Sequence, residues 1–248
     1  MDDLKGAPQP WSAREAHYSV REVEGPGDLA RARGLRQLCF RGREGIDADP
    51  LDEACRHVLV EDARGRLAAT FRMMTVTGGT LGETYSSARY DLTPLSDAPW
   101  PMIELGRFCL RPGPPDPDLV RIAWGALTGR VLASGAGMLF GCSSFPGTDP
   151  ARYADAFALL GQRHLGPARL RPRPDAAETH AFPESEPDLW AALRQMPPLL
   201  RAYLGMGGWT SDHAVIDRDL GTLHVFTALE VSRIPPARAA KLRALAGV

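Results

Sequence analysis

The order of predicted elements indicates a mixed α/β fold built on one sheet. A strand at Met102–Leu110, a helix over 118–133 capped by Asp118, and a strand over 138–145 follow one another with short connections. A strand–helix–strand unit of this length is a crossover, so its two strands are expected to be parallel neighbours. Apolar segments on either side of this unit form two predicted hairpins, which add antiparallel strands.

The first half of the chain is predicted to begin loosely and then form a helix and a hairpin. Residues 1–26 are polar, with Gly and Pro, which is typical of a loose lead-in. Asp28 is the candidate N-cap of a helix that runs to about residue 40. Strand-like segments at 57–61 and 67–76 are joined by Asp62-Ala-Arg-Gly65, a hairpin signal.

The second half supplies the remaining elements. Residues 78–99 consist mostly of helix and strand breakers and predict a surface loop. A helix is expected from about 150 to 163, and 183–201 is expected to be helical in parts. A final hairpin joins strands at 214–217 and 222–229.

These elements predict one domain, over 27–234, because no repeat or linker divides it. The lead-in 1–26 precedes this domain, and a short basic helix at 235–248 follows it. That helix carries Leu242 and Leu245 on one side. Peripheral contact with the inner membrane through this stripe is left open.

Composition excludes several classes of protein. The chain has 248 residues, a net charge of −1 and 44% hydrophobic residues, which argues against a disordered tail and against a nucleic-acid binder. No apolar run approaches the about 18 residues of a membrane span, and the N-terminus lacks the apolar core of a signal peptide. We therefore expect the protein to be made and kept in the cytoplasm.

The cysteines and histidines predict neither disulfides nor a metal site. The four cysteines are scattered without a C-x-x-C pair, so we interpret them as reduced thiols, mostly in the core. The six histidines lack metal-ligand spacing, so no metal is expected. Cys142 beside Ser143 stays open as a nucleophile, although no base is paired with it in the sequence.

An acid and a guanidinium stand three residues apart in the segment Glu104-Leu-Gly-Arg-Phe-Cys109. Side chains alternate faces along a strand, so Glu104 and Arg107 point in opposite directions unless a bulge re-aims one of them. A bulge beside a charged pair in the middle of a sheet is typical of an active site. An edge-strand ion pair with a structural role is the alternative.

Longer motifs extend this signal along the chain. They are Ile103-Glu-Leu-Gly-Arg-Phe-Cys109, Arg121-Ile-Ala-Trp-Gly-Ala-Leu127, Leu139-Phe-Gly-Cys-Ser-Ser-Phe145 with Gly147-Thr-Asp-Pro150, and Leu199-Leu-Arg-Ala-Tyr-Leu204 through Gly207-Gly-Trp-Thr-Ser-Asp-His213. From about residue 33 to 234, these segments resemble the ornithine N-acyltransferases of ornithine-lipid biosynthesis, which are bacterial relatives of the GNAT acyltransferases. The resemblance implies a GNAT-like sheet that splays between its central parallel strands. It also implies that the thioester arm of the donor lies in that gap.

The polar residues also resemble those of the autoinducer synthases, which move an acyl chain from acyl carrier protein onto an amine. The shared order is Arg36-x-x-x-Phe40, Asp49-x-x-Asp52, Arg72 and Glu104-x-x-Arg107. The chain departs from the synthases by lacking a tryptophan soon after the phenylalanine. It also has Cys55-Arg56-His57 where the acyltransferases are expected to have Cys-Asp-His.

The resemblance assigns chemistry to these residues. An amine attacks a thioester only in its neutral form, so a carboxylate must attract the ammonium and help to remove a proton. Glu104 is our candidate, aided by Asp49 and Asp52. The arginines of the shared order can instead neutralise these acids in a buried network, and the two roles are compatible. Side chains after the second central strand are candidates for holding the amino acid or the thioester carbonyl: Ser143, Ser144 and Asp149, the last also a candidate cap.

The donor is expected to be carried by acyl carrier protein rather than by CoA. An acetyl-CoA enzyme of this fold carries a glycine-rich loop after the motif strand, whose free N–H groups bind pyrophosphate. Here the loop is Arg111-Pro-Gly-Pro-Pro-Asp-Pro117, in which four prolines remove four donors. A carrier's 4'-phosphopantetheine arm has one phosphate and asks less of this loop, so no permanently bound cofactor is expected. Candidate contacts for the acidic carrier or its phosphate are Arg111, Arg121, Arg163, Arg169, Arg171 and Arg173.

The leading hypothesis is transfer of a 3-hydroxyacyl chain from acyl carrier protein to the α-amine of ornithine. The hydroxyl group and the acceptor come from the resemblance alone. The alternatives are another amine acceptor, acyl-homoserine-lactone synthesis, and a binding protein without turnover. The segment Trp209–His213 is interpreted as a compact turn without an assigned role.

Overall fold

A mixed eight-stranded sheet forms the centre of the computed structural model, which describes residues 18–114 and 116–247. The parallel pair stands in the middle and every other pairing between its strands is antiparallel, which confirms the mixed α/β class. In spatial order the strands are β1 (Tyr18–Glu22), β2 (Arg56–Asp62), β3 (Leu67–Val76), β5 (Met102–Leu110), β6 (Met138–Pro146), β10 (Thr222–Glu230), β9 (Trp209–Asp217) and β8 (Thr179–Ala181). Two short strands, β4 (Tyr90–Asp91) and β7 (Arg173–Pro174), pair separately.

Helices cover both faces of this sheet. Alternation along β5 turns Ile103 and Leu105 toward one face, where they share a core cluster with Ile122 and Tyr203. The helices are α1 (Pro26–Arg41), α2 (Pro117–Ser134), α3 (Ala154–Arg163), α4 (Leu189–Gln195), α5 (Pro198–Gly205) and α6 (Pro236–Ala246). Among the described residues, no helix combines the length and apolar character that crossing a bilayer demands.

The two parallel strands diverge halfway along their length. β5 and β6 pair from Met102 opposite Met138 as far as Leu105 opposite Gly141. Beyond that point β5 continues only with β3, and β6 continues only with β10. The splay that the family resemblance implied is therefore present, and it leaves a wedge-shaped cleft between the strands.

A bulge lies at Arg107, directly after the point of divergence. The β3–β5 register shifts between Thr70 opposite Cys109 and Arg72 opposite Gly106, so β5 has one extra residue there. Arg107 has φ of 51°, the only positive value for a non-glycine residue in the described chain. The bulge turns Arg107 away from the strand's alternation, which is the exception that the sequence analysis allowed for Glu104 and Arg107.

The prediction of a surface loop over 78–99 is wrong. This segment forms three short 3₁₀ helices, at Gly78–Glu83, Ser86–Ala88 and Thr93–Leu95, and contributes β4. Four of its apolar side chains lie in one core cluster with Met102 and Phe140, namely Leu81, Tyr90, Leu92 and Leu95. Breakers stop regular helices and strands, but burial of these side chains still fixes the segment over one face of the sheet.

Both predicted helix caps are displaced by two or three residues. Helix α1 begins after Gly25, because the Asp28 carboxylate binds Arg21 of β1 instead of capping. Helix α2 is capped by Asp116, whose carboxylate accepts from the N–H groups of Asp118 and Leu119. Acidic residues in a first helical turn are ambiguous in sequence, since cap and first-turn positions both favour them.

Two further boundaries differ from expectation. The interpretation of Trp209–His213 as a turn is wrong, because β9 starts at Trp209 and pairs with β10 through Ala228. The lead-in prediction for 1–26 is wrong at its end, where Tyr18–Glu22 forms β1 and pairs with β2. The rest of that lead-in, residues 1–17, lies outside the described residues.

The C-terminal helix packs against the domain rather than projecting from it. Leu242 packs on the same cluster as α2 and α5. A Cβ added at Gly125 of α2 would lie 2.8 Å from the Leu245 carbonyl oxygen, so the two helices are in close contact. The apolar stripe that was left open for membrane contact thus faces α2.

Substituting Gly141 tests the point at which the strands part. A Cβ at this position would lie 2.3 Å from the Leu105 carbonyl oxygen, so Gly141→Ala must push β5 and β6 apart. We expect the free energy of unfolding, measured by chemical denaturation, to fall by about 1–3 kcal/mol. The control is Gly82→Ala, whose Cβ meets no atom within 4 Å. Equal stability of the two variants would contradict the close approach.

Candidate active site

The wedge between β5 and β6 opens into a cleft of about 340 Å³. Polar side chains from one sheet face line one part of it: Arg72, Tyr85, Glu104, Cys142 and His224. Apolar side chains from the α5 side line another part: Leu105, Phe108, Leu110, Leu199 and Tyr203. The cleft thus joins a charged compartment to an apolar compartment through the opening in the sheet.

Glu104 is buried at the polar end and held by three hydrogen bonds. Its Oε1 accepts from the Ser86 N–H at 2.7 Å and from the Ser86 hydroxyl at 2.6 Å. Its Oε2 accepts from the Tyr85 N–H at 3.0 Å. The side chain lines the cleft while only 5% of the residue is exposed. Glu104 is therefore oriented by backbone groups of the 78–99 segment, and Oε2 keeps lone-pair capacity toward the cleft.

Burial dominates the electrostatics of Glu104. Removal from water raises the pKa of this carboxyl, although the hydrogen bonds from Ser86 and Tyr85 and the charge of Arg72 act in the opposite direction. A cation placed beside such a carboxylate lowers the free-energy cost of ionising it. The polar end of the cleft therefore suits an ammonium group that donates a proton to Glu104.

A buried charge network stands beside Glu104. Arg36 donates to Asp47 and Asp52 at 2.7 Å each, and Arg72 donates to Asp52 at 2.7 Å and to Asp49 at 2.9 Å. Two further guanidiniums complete the network, from Arg33 to Asp52 and from Arg107 to Asp47 and Asp49. Four cations thus face three anions, so the cluster carries one net positive charge next to Glu104.

The network fixes the bulge and the loop that precedes β2. Asp49 and Asp52 form a reciprocal cap on the 3₁₀ helix Pro50–Ala54. Burial by itself raises the pKa of Asp52, but hydrogen bonds from Arg36 and Arg33 outweigh it and hold the pKa well below its usual range. Arg107 bridges this loop from the bulge, and its guanidinium lies 5.4 Å from the Tyr85 ring centre. The structural role that the sequence left open for these arginines is present.

The structure separates the predicted site residues into two groups. Those that line the cleft are Glu104, Arg107, Phe40, Arg72, Ser143 and Ser144. Those that do not are Arg36, Asp49 and Asp52, which lie in the charge network, and Asp149, which caps a 3₁₀ helix by accepting from the Ala151 N–H. The edge-strand ion pair that was the alternative for Glu104 and Arg107 does not form, because Glu104 binds Tyr85 and Ser86 while Arg107 binds Asp47 and Asp49. The catalytic and binding roles of all these residues stay predictions.

The arginines assigned to carrier contact are spread over the surface. Arg111 follows β5 at the open end of the wedge, and exposed Arg121 on α2 pairs with Asp118. The segment with Arg163, Arg169, Arg171 and Arg173 is attached to Thr210 of β9 through the His164 carbonyl. Thr210 pairs with Thr227, which pairs with Gly141 where the wedge is still closed. Arg163 therefore lies two strands away from the cleft, whereas Arg171 pairs with Asp212 of β9 and Arg173 with Asp91 of β4.

Sequence reasoning missed several cleft and network residues. Tyr85 and Ser86 fell in the segment interpreted as a surface loop, and His224 sits in a strand whose apolar neighbours gave it no distinction. Arg33 and Asp47 belong to the charge network but stand outside the shared motif order. The one available signal was the Tyr85-Ser-Ser87 polar cluster between breakers.

Cys142 lines the cleft but does not have the environment of a nucleophile. Burial raises its pKa to about 12, and its sulfur lies 3.6 Å from the Ser86 hydroxyl. The thiol therefore stays protonated at neutral pH. No group of three or more metal-ligating side chains comes together in the described part of the chain.

Neutralising Asp52 should destabilise the fold strongly. In Asp52→Asn, Arg33, Arg36 and Arg72 lose a shared buried anion, so the free energy of unfolding should fall by about 3–5 kcal/mol. Exposed Glu53→Gln, next in the chain, is the control. If the free energy of unfolding fell no more than in the control, the network would contribute little to stability.

The same variant gives a pH signature. The pKa of Asp52 is lower in the folded chain than its unfolded value of about 3.9. Its stabilisation is therefore complete above that unfolded value and is lost as the pH falls through the folded pKa. Denaturation between about pH 5 and 2 should show a steeper loss of stability in the wild type than in Asp52→Asn.

Comparison with known families places this geometry in context. Residues 36–124 match the acetyltransferase (GNAT) domain family. Among solved structures, the chain is similar to FeeM, an N-acyl amino acid synthase from uncultured soil microbes, with a TM-score of 0.50 and 8% identity. That similarity covers 92% of this chain and 99% of the other. At this identity it shows a shared fold and nothing further.

Curated relatives are closer in sequence. The L-ornithine N(alpha)-acyltransferase of Rhodobacter capsulatus is 34% identical, over 88% of this chain and 92% of its own. The protein of the same name from Brucella abortus is 31% identical, over 81% of this chain and 76% of its own. This sequence similarity confirms the resemblance, and the splayed sheet agrees with it. The chain belongs to the L-ornithine N(alpha)-acyltransferase family.

Proposed function

We propose that the protein transfers a 3-hydroxyacyl chain from acyl carrier protein to the α-amine of L-ornithine, which gives lyso-ornithine lipid. The acceptor follows the names of its relatives, and the carrier and the hydroxyl group follow the family resemblance. Both substrates are cytoplasmic in this proposal, so the protein is placed there, with any membrane contact peripheral.

One observation carries the proposal: the cleft joins an apolar compartment to a buried carboxylate. The apolar part, with Phe108, Leu110 and Leu199, suits a fatty acyl chain. The polar part, with Glu104, suits an ammonium group. A thioester in the opening between β5 and β6 lies where the two compartments meet.

The chemistry follows from this arrangement. Glu104 attracts the α-ammonium and accepts a proton from it, directly or through water, and the neutral nitrogen then attacks the thioester carbonyl. A C–N bond forms and the C–S bond breaks. One proton ends on the leaving thiol and one is released through Glu104. Ser143, whose hydroxyl accepts from Thr227 at 3.0 Å, keeps its own proton free for the developing oxyanion.

The start of α2 supports a carrier-bound donor over CoA. A free helix N-terminus would offer its N–H groups to pyrophosphate. Here the Asp116 carboxylate already accepts from the N–H groups of Asp118 and Leu119, and it places negative charge at that spot. The charge of Asp116 and the loss of these two donors therefore disfavour pyrophosphate binding on this side of the cleft.

The carrier's docking surface is proposed at the mouth of the cleft. A groove adjoins the cleft there, since both are lined by Ser144, Pro197 and Pro198, and it contains Arg152 and Arg194. Two cations beside the entrance suit an acidic carrier whose arm must enter the cleft. The arginines at 163–173 are the competing surface from the sequence.

A direct assay tests the function. Purified protein is mixed with 3-hydroxyacyl carrier protein and a panel of amino acids, and the products are identified by mass spectrometry. Acylated ornithine supports the proposal, and another acylated amine replaces the acceptor. Thiol release without an acylated amine means hydrolysis, and no thiol release means a binding protein.

Removing the Glu104 carboxylate should abolish most turnover. We expect Glu104→Ala to lower kcat/KM by at least about 100-fold, because the amine loses its proton acceptor. Circular dichroism checks that the fold survives. The control is Glu83→Ala, an exposed change at the end of the 3₁₀ helix Gly78–Glu83, and it should keep full activity. Near-normal turnover of the Glu104 variant would contradict the assignment of Glu104 as the proton acceptor.

Charge reversal distinguishes the two docking surfaces. Arg152→Glu with Arg194→Glu should raise KM for the acyl carrier protein about 10-fold, because the acidic partner is repelled at the mouth. The matched pair Arg163→Glu with Arg169→Glu should leave KM unchanged. If only the second pair weakens the carrier, docking belongs to the 163–173 segment.

A further inference from the structure

Arg107 uses only part of its guanidinium in the charge network. Its Nε donates to Asp47 at 3.1 Å and its Nη2 donates to Asp49 at 2.8 Å. The third nitrogen, Nη1, has no hydrogen-bond partner among the described residues. Nη1 is also not one of the buried polar atoms that lack a partner, so it keeps accessible surface. Two N–H donors on a permanent cation are therefore available to a ligand.

The guanidinium of Arg107 lies at the wall of the cleft. Its central carbon is 5.4 Å from the ring centre of Tyr85 and 5.9 Å from that of Phe40, and both of these residues line the cleft. The side chain keeps 12% of its surface accessible although two carboxylates hold it. Nη1, the nitrogen that the aspartates leave unoccupied, therefore supplies its donors at this wall.

The other arginine of the cleft lining is already occupied. Arg72 and Arg107 are the arginines that line the cleft among the described residues. Arg72 donates through Nη1 to Asp52 and through Nη2 to Asp49, and only 3% of its side chain is accessible. A ligand anion in the cleft therefore finds its cationic partner in Arg107.

The bulge brings this cation to the sheet face of Glu104. Glu104 and Gly106 share that face by alternation, and Arg107 would point away from it in a regular strand. Arg72 lies on the same face, because a Cβ on Gly106 would be 3.2 Å from the Arg72 Nε. Arg72 and Arg107 donate to one and the same oxygen of Asp49, so the bulge has turned Arg107 to this face.

Glu104 and Arg107 border one small polar volume beside Tyr85. The Tyr85 N–H donates to Glu104 at 3.0 Å, and its ring carries the guanidinium of Arg107. An α-amino acid has an ammonium and a carboxylate on a single carbon atom. Its two charges are opposite in sign to the two protein groups, and the net positive charge of the network favours the carboxylate further.

A second attachment point has a consequence for the attack on the thioester. An amine that is held by Glu104 alone can rotate, so its lone pair has no fixed direction. Binding of the neighbouring carboxylate fixes the α-carbon and with it the direction of the nitrogen. A simple amine without a carboxylate leaves Nη1 unpaired and loses this orientation.

We propose that Nη1 of Arg107 binds the α-carboxylate of the acceptor while Glu104 holds its α-ammonium, so that the site selects α-amino acids over simple amines. The carboxylate contact rests on the proposed function and names the group that recognises the substrate class. It changes no covalent step: the C–N bond formed, the C–S bond broken and the two protons moved stay as described. The left-handed backbone of Arg107, with φ of 51°, then serves substrate binding.

A pair of substrates isolates this contact. Ornithine amide has a neutral carboxamide in place of the carboxylate and keeps both amines. Steady-state kinetics with one acyl donor give kcat/KM for ornithine and for the amide, and the ratio of the two values reports recognition of the carboxylate. A general loss of stability or of catalytic geometry lowers both values and leaves the ratio unchanged.

Arg107→Gln should lower this ratio at least about 10-fold relative to the wild type, because the charge-assisted bonds to the carboxylate are lost. The matched control is Arg33→Gln. Arg33 also belongs to the charge network, through Asp52, but it does not line the cleft, so this variant should keep the ratio. An unchanged ratio in Arg107→Gln would overturn the proposal. An equal fall in both variants would show an effect of network charge alone and overturn it too.

Circular dichroism shows whether Arg107→Gln folds. If it does not, Arg107→Lys takes its place, because the ammonium keeps a cation for Asp47 and Asp49. One ammonium cannot bond both aspartates and a carboxylate as the guanidinium fork does, so the ratio should fall at least about threefold. The wild-type ratio in this variant would contradict the contact.

Failure of the proposed function gives a different result. If the wild type acylates another amino acid, the ratio is measured with that amino acid and its amide, and the same outcomes decide. If it acylates none, calorimetry measures the binding of ornithine and of ornithine amide to the wild type and to Arg107→Gln. A preference for ornithine that only the wild type shows supports the contact. Equal binding of the two compounds to the wild type, or no binding, contradicts it.

Discussion

The parting of two parallel strands is the constraint on which the rest of the structure depends. β5 and β6 are paired as far as Leu105 and Gly141, and each then follows its outer neighbour. Splitting a sheet forfeits ladder hydrogen bonds between its central strands, so the split persists only where the surroundings hold both strands. Those surroundings are the bulge at Arg107 and its partners on one side and the long β6–β10 ladder on the other.

The charge network explains how the β5 side is held. Arg107 occupies a left-handed backbone conformation, which is unfavourable for a residue with a side chain. Its guanidinium reaches Asp47 and Asp49, and these acids are tied through Arg36 and Arg72 to α1 and β3. Breaking any member leaves a buried charge unpaired, so the network acts as a unit. Its net positive charge also tempers the cost of ionising Glu104.

The wedge gives each substrate a different environment. Its α5 side is apolar and its other side is polar, because the alternation of β5 is broken at the bulge: Glu104 faces one compartment, whereas Phe108 and Leu110 face the other. A fatty chain and a charged amino acid can therefore approach one carbonyl from opposite faces of the sheet. Membership of the acyltransferase family agrees with this division of the cleft.

Much of the fold was accessible from the sequence because its signals are local. The crossover unit, the first hairpin and β3 follow from apolar runs and breakers, and the spacing of Glu104 and Arg107 suggested a bulge without requiring one. The helix caps were displaced because cap and first-turn positions both favour acids: Asp28 binds Arg21 of β1 in the first turn of α1, and Asp116 rather than Asp118 caps α2. The segment 78–99 was misread because its burial depends on the sheet that it covers.

The candidate site, too, was predictable only in part from the sequence. The sequence by itself determined which charged residues are candidates, since the order of Arg72, Glu104 and Arg107 resembles that of the autoinducer synthases. Only the tertiary structure decided what each one touches: Glu104 is bound by Tyr85 and Ser86 rather than paired with Arg107, and Asp49 and Asp52 hold arginines instead of facing the cleft. The reason is physical. Residue type and periodicity fix local conformation and chemistry, whereas the partners of a buried charge come from segments far apart in the chain, and these meet only when the core closes.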